Sequence, residues 1–111
     1  VVGTCLENMA LAANRLGDVG GGICVWKDSK ELSIVELPIA GLMSDAPASL
    51  VAAKADKMVA AMAVCGCTLN NAFMQHSLLA LVVIPELRIS DLGLVDVTKF
   101  EMTSVIKGTQ H

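Results

Sequence analysis

From Leu6 onward, apolar residues return every three or four positions: Leu6, Met9, Ala10, Ala13 and Leu16, with Glu7, Asn8, Asn14 and Arg15 on the other side. That spacing is one face of an α-helix. It predicts a first helix from Cys5 to Leu16, with Thr4 as N-cap, Glu7 closing a capping box and Gly17 as the stop. Val1-Val2-Gly3 before it reads as the end of a strand. The period then changes. Ile23 to Lys27 and Glu31 to Leu37 are β-prone runs joined by Asp28-Ser29-Lys30, a hairpin pattern. Ile23 and Val25 alternate with Cys24 and Trp26, so both faces are apolar and the hairpin should be covered on both sides. Between helix and hairpin, Gly20-Gly21-Gly22 is either a phosphate cradle or a tight passage. A phosphate loop follows a strand and opens a helix; here the order is reversed, which favours the passage.

Leu37 to Asp45, Leu-Pro-Ile-Ala-Gly-Leu-Met-Ser-Asp, organises the middle of the chain. Pro38 pushes Leu37 toward extended backbone, and Gly41 allows a bend. Ser44 and Asp45 offer acceptors to a new helix, with Pro47 in its first turn. An apolar connection is unusual, so this one should thread the interior, as a buried interface or a pocket wall. Val51, Ala55, Met58, Met62 and Cys65 form the stripe of helix two, and its alanines permit close approach of a neighbour. Met58 and Met62 are core or pocket, the core reading being favoured. Gly66 ends the helix. Beyond it, Thr68 to Gln75 reads as a loop anchored by Phe73 and Met74. Leu78 to Ile84 reads as a buried strand stopped by Pro85. Leu87 to Ile89 is short and extended, Ser90 to Gly93 a turn, Leu94 to Val97 a brief strand, Phe100 to Ile106 an edge strand, and Lys107 to His111 a fraying tail. The fold class is α+β: two helices packed on a small mixed or mostly antiparallel sheet, with one β-hairpin.

The 111 residues make about one domain. Their mean hydropathy of +0.63 is high for a free domain of this size, which implies surface covered by something else. Uninterrupted apolar runs such as Leu78 to Ile84 are far short of the ~20 residues a membrane helix needs. No basic stretch precedes an apolar block, so no secretory signal is apparent. The first residue is Val1 rather than Met, which reads as a fragment. A net charge of −3 and scattered cations argue against nucleic acid, and the aromatics Trp26, Phe73 and Phe100 are too few for base stacking.

Candidate chemistry is thin. Cys5, Cys24, Cys65 and Cys67 could form two disulfides or a metal site, but Cys65-Gly66-Cys67 is not a zinc spacing. Reduced thiols packed in the core of a cytoplasmic protein are the simpler reading. His76 and His111 have no third ligand at metal-binding spacing. Ser77 lacks a nucleophile elbow, and Asp91 and Asp96 flank a glycine turn, where aspartate bonds locally. Ser44 and Asp45 are the most interesting polar residues because apolar sequence surrounds them, although helix capping explains them too. These residues alone do not describe an enzyme.

Several stretches, taken in order, resemble the C-terminal domain of bacterial and archaeal adenine deaminases: Val1 to Thr4, Asn8 to Leu16, the glycines and hairpin, Leu37 to Asp45, Leu79 to Leu87, and Asp91 to Val97. The chain departs at Asn71-Ala72, where the family usually has aspartate-proline, and at Gln75-His76, Leu79 and Val82-Val83. The resemblance implies that residues 1–111 are part of the C-terminal domain of a larger amidohydrolase. That parent would convert adenine and water to hypoxanthine and ammonia. Its divalent metal (Mn, Fe or Zn) would be held in a (β/α)₈ barrel absent from this chain, so no catalytic or metal role carries over and no cofactor is expected here. Partners would be the parent barrel and further copies in a homo-oligomer, in the cytoplasm, without nucleic acid or membrane. Ser44 and Asp45 are the substrate-proximal candidates. The competing readings are a stand-alone small-molecule-binding or oligomerisation module and a small independent hydrolase.

Overall fold

A computed structural model describes residues 1–106; the expected tail from Lys107, with His111, lies outside the described residues. The chain divides into two compact units, Val1–Asn70 and a second that begins at Asn71. The first contains α1 (Leu6–Asp18), β1 (Gly22–Lys27), β2 (Lys30–Glu36) and α2 (Ala48–Val64). The second contains α3 (Ala72–Ser77), a 3-10 turn at Leu78–Ala80, and strands β3 (Leu87–Ser90), β4 (Gly93–Asp96) and β5 (Glu101–Thr103). The α+β class holds, with three helices and two separate antiparallel sheets, β1-β2 and β3-β4-β5.

The hairpin is the centre of the first unit. Asp28 and Ser29 both have positive φ, 51° and 59°, and join Lys27 to Lys30 as a two-residue turn whose twist suits paired strands. One face of the hairpin, Val25 and Val35, packs against Met58 and Ala61 of α2, with Ile23, Leu37 and Met62 around them. Met58 is 1% exposed, and burying such a side chain stabilises by roughly 1.5–3 kcal/mol. Cys24 points the other way, and its thiol donates to the Ala12 carbonyl of α1 at 3.4 Å. Both faces are therefore covered, as the double alternation requires.

The inner face of α1 is rotated from the expected one. Leu6 is 82% exposed, and Ala10 and Ala13 are exposed too, whereas Asn8 and Arg15 turn inward. Asn8 Oδ1 accepts from the Ser29 amide at 3.0 Å, and Arg15 Nε donates to Glu31 at 2.8 Å. The hairpin offers polar partners that periodicity alone cannot see. The helix begins after Cys5 without a side-chain cap, so the Thr4 capping box does not form. It also passes Gly17. Gly20, at φ 81°, ends it: the amides of Gly20 and Gly21 reach the carbonyls of Gly17 and Leu16, a Schellman closure. Gly66, at φ 86°, ends α2 the same way, with Gly66 and Cys67 bonded to Ala63 and Met62. In α2 the inward positions are Val51, Lys54, Met58, Ala61 and Met62, while Ala55 and Cys65 are exposed. Lys54 displaces Ala55 from the stripe because it pairs with Glu36 at the end of β2.

Three other expectations fail. Val1 to Gly3 form no strand. The second half of the expected Thr68–Gln75 loop lies in α3, and Met74 is exposed rather than an anchor. Leu78 to Ile84 is not a buried strand: it continues α3 as a 3-10 turn and further turns. Leu78, Leu79, Leu81, Val82 and Val83 are 42–70% exposed. A short apolar run carries no period that separates strand from helix. Here the strands β3, β4 and β5 pair among themselves, over a core that includes Ala72 and Val97.

Candidate functional site

The Leu37–Asp45 corner is built where the glycine passage and the hairpin end meet. The Leu37 amide donates to the Gly21 carbonyl at 3.0 Å. Ile39 and Met43 then exchange backbone bonds, both at 3.1 Å, and Leu42 donates to Ile39 at 3.0 Å. Ala40 and Gly41 make the reversal at φ 57° and 71°, a conformation glycine accepts freely and alanine at a cost. A Cβ on Gly21 would stand 2.6 Å from the Gly41 Cα. The two backbones touch there because Gly21 has no side chain; a Cβ on Gly41 would meet open space, and Gly41 serves by its left-handed φ. The glycine cluster is thus a closing element for α1 and a seat for the corner, not a phosphate cradle.

The corner does not thread the interior of the first unit. Ile39, Leu42 and Met43 are 45%, 77% and 58% exposed. Ser44 and Asp45 do not cap α2, whose N-cap is Pro47 with no side-chain bond. Ser44 Oγ instead accepts from the Ala46 amide at 3.2 Å, holding a local turn, and Asp45 is exposed. The foot of the corner is clamped by Lys54, whose hydrogen bond holds the Glu36 carboxyl below the usual carboxylate range.

The remaining candidates are scattered. His76 is exposed in the last turn of α3, and Ser77 Oγ donates to Met74 at 2.7 Å. Asp96 accepts from the Lys99 amide and pairs with its ammonium, both at 3.2 Å; Ser90 Oγ bridges Leu92 and Gly93 in the turn that holds Asp91. All four cysteines are free thiols, but Cys5 and Cys65 are exposed rather than packed in a core, and burial pushes the Cys24 thiol up. Among the described residues no three His, Cys, Asp or Glu side chains converge as metal ligands, so this donor set does not fit a catalytic metal. A shallow, open depression of about 300 Å³ lies between Leu32 of β2 and Lys57, Ala60 and Val64 of α2, with little polar chemistry to orient a ligand. No helix among the described residues is long and apolar enough to cross a membrane.

Residues 1–101 match the family described as the adenine deaminase C-terminal domain. The chain belongs to that family. The chain is 73% identical over 107 residues to a protein named adenine deaminase from Ruegeria pomeroyi and 75% identical to one from Roseobacter denitrificans; each match covers 96% of this chain and 18% of the relative. A protein of the same name from Clostridium botulinum is 46% identical over 105 residues, 95% of this chain and 18% of its own length. The chain therefore spans about a fifth of the length of the curated relatives it matches.

Proposed function

We propose that this chain serves an enzyme that hydrolyses adenine to hypoxanthine and ammonia, and that it supports the reaction without carrying its chemistry. What supports this reading is identity above 70% across nearly the whole chain to proteins named adenine deaminase. A divalent metal (Mn, Fe or Zn), held in the part of the polypeptide outside this chain, would supply an activated water. The described residues have no donor cluster for it, so their contribution is packing and positioning. Ser44 and Asp45 are the residues we assign beside the substrate: they follow an exposed, backbone-locked turn, and Asp45 is open to whatever lies against it. The parent acts in the cytoplasm as a homo-oligomer.

Ammonia release from adenine by the full-length protein tests the activity. Turnover is expected, and its absence contradicts the reading. Asp45→Ala in that protein should lower kcat/KM about tenfold or more, the loss of one hydrogen bond to a charged group. Unchanged kinetics would remove Asp45 from the site.

A further inference from the structure

We propose that Ile39, Leu42 and Met43 form a rigid apolar prong that docks on the part of the same polypeptide lying outside these 111 residues. The proposal rests on the reading that the chain is one portion of a longer deaminase. Its own observations are the exposure and the fixation of this turn. Three large apolar side chains within five residues are 45%, 77% and 58% exposed, and a cluster of that kind marks an interaction surface. The backbone beneath them is not free to fold them away. The Ile39–Met43 exchange closes the turn, the Leu37–Gly21 bond fixes its entry, and the Gly21–Gly41 contact seats its apex. An apolar group held in place loses little further freedom when it is covered, so docking meets a small ordering cost.

The share of the relatives that this chain covers indicates the occupant. Curated relatives continue for about four-fifths of their length beyond the matched 18%. A surface on the same polypeptide competes at an effective concentration of order millimolar, which favours it over a separate protein or a second copy. Leu6, although 82% exposed, sits on a helix start with no comparable lock. Asp45 lies two residues beyond the prong, after Ser44, so docking Ile39, Leu42 and Met43 would also constrain where its carboxylate lies.

A photo-cross-linking amino acid at Leu42 of the full-length protein tests this, with ¹⁴N and ¹⁵N copies mixed before irradiation. The expected product joins position 42 to a peptide outside these 111 residues with both halves carrying the same isotope. A product that joins ¹⁴N to ¹⁵N halves would assign the prong to a second copy, and quenching by water alone would show it uncovered; either overturns the proposal. Gly21→Ala, which moves the seat, should reduce the cross-link at least threefold, and an unchanged yield would also count against it. Ammonia release from adenine by the same protein is read separately: cross-linking without turnover would sink the functional reading and leave the dock standing.

Discussion

Glycines 20, 21 and 22 look interchangeable in the sequence and do different things in the molecule. Gly20 supplies the left-handed residue that ends α1, whereas Gly21 supplies the absence of a side chain against Gly41. The passage was legible, because a helix before and a strand after leave little else for three glycines. Their second role was not, since the partner backbone lies twenty residues away. Gly21→Ala should destabilise the first unit by roughly 1–3 kcal/mol, as a strained backbone position does, and urea unfolding followed by hydrogen exchange of β1 and β2 peptides would measure it. Glu36 gives a pH prediction. Its folded carboxyl is held low by Lys54, so the stability it adds is present above the unfolded value of about 4.3. That stability is lost as the pH falls through the folded value. The difference in exchange protection between the protein and Glu36→Gln should therefore be largest near neutrality and shrink as the pH falls below the ordinary carboxylate range.

The hairpin and both long helices were readable from their periods, with the Asp28-Ser29 turn marking the hairpin and Gly66 the end of α2, whereas the Thr4, Gly17 and Ser44-Asp45 signals at the other helix ends misled. Errors arise where one signal stands alone. The Leu6 stripe has a helical period, but two polar residues on its far side, Asn8 and Arg15, bond the hairpin and turn the helix. Leu78 to Ile84 is apolar without period, and it forms turns after α3 while β3 to β5 pair among themselves. In α2, Met58 is the buried contact to Val25 and Val35. Met58→Ala should cost about 2–5 kcal/mol, as large-to-small changes at such positions do, whereas Val59→Ala, on the exposed side at 52%, should cost far less. Equal costs for the two would mean that the α2 face has been assigned wrongly.

Each unit leaves apolar surface open, the first at Ile39 to Met43 and the second at Leu78 to Val83. The high mean hydropathy foretold such surface but not its place: Leu37 to Asp45 was expected inside, and Ile39, Leu42 and Met43 in fact face outward on a locked turn. Apolar composition alone does not say whether a connection is covered by this chain's own core, and here it is not. Chemistry follows the same division, since His76, Asp91 and Asp96 lie on local turns and helix ends rather than at a converging site. The most direct measurement is ammonia release from adenine by the full-length protein, wild type beside the His76→Ala/Asp91→Asn double variant. Turnover by both within about twofold is expected. No turnover by the wild type, or a hundredfold loss in the variant, would contradict an adenine deaminase whose reactive groups lie beyond this chain.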